Sequence, residues 1–143
     1  MKRLSRFLAL SQIEKILLVK AVFFLLVVRI ELWVLPFSTL QSLVNKLLLS
    51  RSCSDVSIKQ MIWSVEVASS YLPLMKTCLV KSIAAQILLT QYGYKPNLCI
   101  GVRKDEKMLD AHAWVEINGE VVIGQTDLLT DYVKLPNLQG AKP

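Results

Sequence analysis

Up to Gly93 the apolar side chains recur at three- and four-residue steps. Beyond it the apolar runs become short and β-prone. Ser11-Gln12-Ile13-Glu14 fits a capping box, with Ser11 accepting from an early backbone N–H while Glu14 reaches back to the cap, so a helix is expected to begin here. Its continuation to about Trp33 is apolar nearly all round, which implies burial or a partner groove, and Pro36 marks its end. Leu40, Leu43, Val44, Leu47 and Leu48 predict a second amphipathic helix, followed by a polar loop over residues 50–54. Ser54 or Asp55 can cap a third helix with Ile58, Ile62 and Val65 on one face, stopped by Pro73. A fourth is expected from Thr77-Cys78, with Leu79, Ile83, Ile87 and Leu88 on its apolar positions and Gly93 as its left-handed terminator.

Residues 98–102 then read as a strand, residues 103–107 as a charged turn, and residues 111–117 and 120–123 as two strands flanking Asn118-Gly119. That dipeptide suits a two-residue hairpin turn in which both residues need positive φ. Helices first and an antiparallel sheet afterwards make an α+β fold.

The 143 residues suffice for one core and not for two, so a single domain is expected over residues 1–143. Its parts are a helical N-terminal portion (1–49), a core portion (50–136) and a loose tail (137–143). An apolar fraction of 53% suggests that some apolar surface is covered by a partner or a membrane. The net charge of +6 favours acidic partners, but the basic residues are scattered and not interleaved with aromatics, which argues against nucleic acid. Three cysteines, Cys53, Cys78 and Cys99, make no C-x-x-C pair, and their odd number fits a reducing, cytoplasmic setting without a disulfide framework. With His112 the sole histidine, a structural metal is not expected, and no cofactor motif is present. The longest uncharged stretch near the start, residues 21–28, is far short of the roughly 20 residues a spanning helix needs. Peripheral contact of the N-terminal helical region with anionic lipid is the expectation there.

Chemistry converges on two residues. Cys78 stands where the fourth helix should start, and free backbone N–H groups and the helix dipole favour a thiolate at such a position. His112 lies inside an otherwise apolar strand, and a Cys/His pair supplies a nucleophile and a base. A two-residue turn at Asn118-Gly119 pairs Ile117 with Glu120, and extending that register sets Gln125 across from His112 with Asp127 diagonal to it. Asp127 is the preferred group to orient the imidazole, since a carboxylate stabilises imidazolium better than an amide. A bulge at Gly124 would exchange the two candidates.

Trp63, Pro73, Cys78-Leu79, Tyr92-Gly93-Tyr94, Leu98-Cys99-Ile100-Gly101-Val102, Ala111-His112-Ala113-Trp114-Val115-Glu116, Gly119 and Val121-Val122 together resemble the leader peptidases of lasso-peptide biosynthesis. Arg6-Phe7-Leu8 and Leu35-Pro36-Phe37 extend the resemblance through the helical part. It implies a papain/transglutaminase-like cysteine peptidase that cuts the leader from a ribosomally made precursor peptide after a separate recognition protein has bound that leader. A lasso cyclase would then close the freed core amine onto a side-chain carboxylate.

By position, Cys78 is the nucleophile and His112 the general base and then acid. Family members often carry an Asp near the end of the strand after the Gly turn, where this chain reads Ile123-Gly124-Gln125. A thiol protease also needs an oxyanion hole, for which the Cys78 backbone N–H and the Trp63 indole are candidates, although a tryptophan such as Trp63 is more often simply core. Trp114, on the His112 face of the hairpin, could shield the imidazole or simply pack. Two other readings stay open: a transglutaminase-like acyl transferase, and a catalytically silent peptide-binding or scaffold subunit suggested by the missing strand-end carboxylate.

Overall fold

A computed structural model describes residues 2–34, 42, 46, 55–72 and 77–135. Among the described residues four helices precede a sheet: α1 (Lys2–Leu8), α2 (Gln12–Val34), α3 (Ile58–Tyr71) and α4 (Cys78–Gln91), then β1 (Asn97–Lys104), β2 (Leu109–Ile117), β3 (Glu120–Ile123), a 3-10 turn (Leu129–Asp131) and β4 (Val133–Lys134). The sheet is antiparallel in the order β3-β2-β1-β4. The α+β expectation holds. The helix expected over residues 40–48, the loop at 50–54, Pro36, Pro73, Cys53 and the tail at 137–143 lie outside the described residues.

The expected capping box starts α2: Ser11 N donates to Glu14 Oε2 at 2.9 Å and Glu14 N to Ser11 Oγ at 3.2 Å. The cap of α3 differs from expectation. The cap is not Asp55 but Ser57, which accepts from Gln60 N at 3.2 Å, while Gln60 Oε1 accepts from Ser57 N at 3.3 Å. Gln60 decides the position, because it is the only Glu or Gln three residues beyond any of the three candidates. Helix α4 begins at Cys78, as expected, and ends through Gly93 at φ +89, whose N–H returns to Thr90 O at 3.1 Å while Tyr94 N–H reaches Leu89 O at 3.1 Å.

Helix α4 lies at the centre, with an unbroken buried run from Ser82 to Leu89. It packs against α2, α3, β2 and the adjoining part of β1, while β3 touches α3, and the shared core gathers Leu17, Leu25, Val28, Met61, Val65, Val115 and Ile123. Each fully buried Leu, Ile or Val contributes roughly 1.5–3 kcal/mol over its exposed state, so side chains such as Leu17, Leu25, Ile87, Leu88 and Val115 dominate the packing. Only one face of α2 joins this core. Leu17, Leu18, Ala21, Phe24, Leu25 and Val28 are buried, while Ile16, Val19, Phe23, Ile30 and Trp33 point outward at helical spacing. Among the described residues no helix is long and apolar enough to cross a membrane.

The hairpin forms as expected at its turn, with Asn118 at φ +53, Gly119 at φ +82 and Ile117 opposite Glu120. The register then departs from expectation. Glu116 pairs with Val121 and Val115 with Ile123, so Val122 is an extra residue on β3, and the ladder stops before any residue opposes His112.

Candidate active site

Cys78 is the first residue of α4. Thr77 before it is extended (φ −64°, ψ 138°) and its hydroxyl makes no capping bond to the backbone N–H groups of the first turn. One turn on, Ser82 is buried and donates to Ala113 O at 3.1 Å. This bond ties the start of α4 to β2 at the residue after His112. Cys78, Ser82, His112, Gly124 and Gln125 accordingly border one cavity of about 330 Å³, with Val122 and Ile123 as its apolar wall. Glu66 of α3 and Lys81 of α4 complete the rim as an ion pair at 2.7 Å.

The position of the imidazole follows from two glycines and a bulge. His112 Nε2 lies 2.7 Å from Gly124 O. A carbonyl can only accept, so Nε2 carries the hydrogen, and in the neutral ring this leaves the lone pair on Nδ1, the tautomer in which that nitrogen can act as a base. Gly124 adopts φ +88, and a Cβ there would come within 2.8 Å of Ala113 O and of Trp114 Cβ. No other residue type fits that backbone approach. Gly101 stands opposite His112 on β1. A Cβ on it would lie 2.8 Å from the Trp114 ring and 3.0 Å from Tyr132 Cβ, so its bare backbone is what lets both rings close over the strand. The imidazole stacks on Trp114 with centroids 6.0 Å apart and planes at 21°, and meets Tyr132 at 5.5 Å and 41°.

Trp114 therefore both packs, at 1% exposure, and covers one face of His112. Trp63 does neither of the things expected of it. It is partly exposed and borders a separate groove with Arg3, Phe7 and Tyr71, away from the cavity of Cys78 and His112. The Cys78 backbone N–H is left as the oxyanion donor suggested by the sequence. Of the candidates for orienting His112, Gln125 is exposed at the cavity rim. Asp127 is exposed beyond the end of β3, does not border the cavity, and makes no side-chain hydrogen bond among the described residues. The bulge at Val122 is the physical reason the expected register fails: it turns the chain after Ile123 so that a main-chain carbonyl, rather than a side chain, meets the imidazole.

Sequence reasoning missed the Gly124 carbonyl, the Glu66–Lys81 pair and a polar cluster on the other side of His112. In that cluster Asp110 Oδ2 accepts from Tyr132 Oη at 2.6 Å and from Arg103 Nη2 at 3.4 Å. Period-two alternation along β2 sets Asp110 on the His112 face and could have found it. Cys99 and Cys78 are both free thiols, but Cys99 is buried, and burial followed by the charge of Glu116 pushes its thiol up, away from reactivity. Cys78 is the thiol that meets the cavity.

A half-exposed thiol at a helix start, beside an imidazole with its Nε2–H held, can perform nucleophilic acyl chemistry. No curated protein and no solved structure matches the chain. The family model described as the transglutaminase-like superfamily matches residues 22–137, which carry the central helices, the sheet and both Cys78 and His112. The chain belongs to the transglutaminase-like superfamily.

Proposed function

We propose that this protein is a cysteine endopeptidase, independent of ATP, that removes the leader from a ribosomally synthesised precursor during lasso-peptide maturation. The observation that carries the reading is the shared cavity of Cys78 and His112, with the imidazole held through Nε2 by Gly124 O. The resemblance to the leader peptidases, from Cys78-Leu79 through Ala111-His112-Ala113-Trp114-Val115-Glu116, supplies the substrate class.

His112 takes the Cys78 proton, and the sulfur attacks the carbonyl carbon of the scissile bond. The oxyanion so formed is met by the Cys78 backbone N–H, a contribution of about 3 kcal/mol for one well-placed donor. Imidazolium then gives its proton to the departing core amine, the C–N bond breaks, and the leader remains as a thioester on Cys78. Water, deprotonated by His112, attacks that thioester and releases the leader as a carboxylate. A separate recognition protein presents the leader, and a cyclase uses the freed amine.

Incubation of the chain with precursor and recognition protein, followed by peptide masses, tests this directly. Leader loss is expected in the wild-type chain, abolished by Cys78→Ala and slowed about 10²–10⁴-fold by His112→Ala. Intact precursor in the presence of folded, leader-binding protein would instead support the catalytically silent scaffold reading. Superfamily membership also favours acyl transfer as a second enzyme reading. The two enzyme readings part at the acceptor: with an added primary amine, a transferase yields an amide on the leader carbonyl where the peptidase yields a carboxylate.

The exposed apolar stripe of α2, together with Lys2, Arg3 and Arg6 of α1, supports peripheral contact of the helical layer with anionic lipid.

A further inference from the structure

We propose that Asp110 and Tyr132 are positioning residues for His112, with the Tyr132 hydroxyl fixing the Asp110 carboxylate so that its charge stabilises the imidazolium formed when Cys78 is deprotonated. The proposal deepens the cysteine-peptidase reading and rests on it for its catalytic meaning. Its structural part concerns only the imidazole.

The need arises from the hydrogen-bond partner of His112. Gly124 O orients the ring and selects the tautomer, but a carbonyl dipole stabilises a positive ring less than a carboxylate does. Asp127, the carboxylate expected from the sequence, does not border the cavity. Asp110 lies two residues before His112 on β2, about 7 Å away along one face of the strand. Tyr132 fills the space between them: its ring is 5.5 Å from the imidazole and its hydroxyl 2.6 Å from Asp110 Oδ2. That placement depends on Gly101, because a side chain there would strike Tyr132 Cβ.

The hydrogen bond from Tyr132, then that from Arg103 and the guanidinium and His112 charges, hold Asp110 below the usual carboxylate range despite some desolvation. Asp110 is thus an anion at neutral pH. Among the described residues, the other charged groups near the ring or its cavity are engaged elsewhere. Arg103 of β1 offsets part of the Asp110 charge. On the opposite side Lys81 of α4 is paired with Glu66 of α3, and Cys78 is the reaction partner. Lys134 of β4 lies over Trp114 and is paired with Glu116. Between β3 and the 3-10 turn the cavity group is the Gln125 amide.

A chain with one histidine gives one imidazole titration by NMR, readable whether or not the protein cleaves anything. In Asp110→Asn the midpoint is expected to fall by about half a pH unit, less than the 1–3 units of a close buried pair because the carboxylate is half-exposed and shared with Arg103. Tyr132→Phe, which keeps the ring and frees the carboxylate, is expected to move it the same way by less. The Asp110→Asn difference should shrink at about 1 M salt, where the screening length is about 3 Å; a purely structural role would not produce that behaviour. Asp110→Glu should restore part of the shift.

An unchanged midpoint in folded Asp110→Asn and Tyr132→Phe chains would overturn the proposal. If precursor is nonetheless cleaved by both variants with a wild-type pH profile, the peptidase reading survives that loss. If the midpoint shifts as expected while no chain cleaves precursor, the peptidase reading fails and the coupling of Asp110 to His112 stands.

Discussion

Cys78 and His112 were recognisable from their own neighbourhoods. The cysteine follows Thr77 at a helix start and the histidine interrupts an apolar strand, and both cues are local. The residue that holds the imidazole was not recognisable, because it acts through a carbonyl and a carbonyl has no letter in a sequence. What the sequence does record is the glycine. Gly124→Ala would force a side chain onto φ +88 and within 2.8 Å of Ala113 O, backbone that cannot yield by a rotamer change. The expected outcome is a loss of about 1–3 kcal/mol in denaturant unfolding, together with a fall in cleavage larger than the remaining folded fraction explains. Wild-type stability in that variant would mean that the segment does not depend on its left-handed turn.

At the level of elements, capping boxes and the hairpin turn were legible because each is a contiguous pattern: Ser11 with Glu14, Gly93 after α4, and Asn118-Gly119 all behave as their residue types dictate. The cap of α3 was misplaced by two or three residues since Ser54, Asp55 and Ser57 all offer an acceptor and only Gln60 discriminates among them. The bulge falls at Val122, two residues before the Gly124 at which the sequence allows for one. It is set by the contacts of Ile123 with the core and of Gly124 with Trp114, so a register extended residue by residue from the turn failed after two pairs.

Strand β4, only two residues long, was also missed. It is held partly by side chains: Lys134 Nζ meets Glu116 Oε1 at 2.8 Å, and Trp114 Nε1 donates to the same oxygen at 2.9 Å. Hydrogen bonds from Lys134 and then Trp114 hold Glu116 below the usual carboxylate range, and the bond to Glu116 raises Lys134. Because the folded value of Glu116 lies below its unfolded one, its contribution is complete above the ordinary carboxylate range and is lost as pH falls through the depressed value. Lys134 works in the opposite sense, contributing below the ordinary lysine range and losing that contribution as pH rises through its raised value. Thermal melting against pH should therefore show an acid-side loss that is smaller in Glu116→Gln than in the wild-type chain. Identical acid-side slopes would show that this carboxylate plays no part.

On the scale of the whole molecule, the order of helices before an antiparallel sheet was legible because the hydrophobic period changes after Gly93. The composition also foretold uncovered apolar surface. One face of α2 packs on α3 and α4, and the outward stripe through Val19, Phe23 and Ile30 is the part the chain's own core does not use. If anionic lipid is its partner, the protein should float with anionic vesicles and not with neutral ones, and Phe23→Glu with Ile30→Glu should abolish flotation without altering the sheet. Equal recovery with both vesicle types, or flotation unaffected by the two glutamates, would remove lipid as the partner of this face.

The central claim is that Cys78 becomes acylated by the leader with His112 moving the protons. Acid quench of a single turnover with precursor and recognition protein, followed by intact protein mass, reads that event itself. An adduct of leader mass less one water, located on Cys78 and missing from both Cys78→Ala and His112→Ala, is the predicted result. Core release by Cys78→Ala, with no adduct on the wild-type chain at any time, would contradict it.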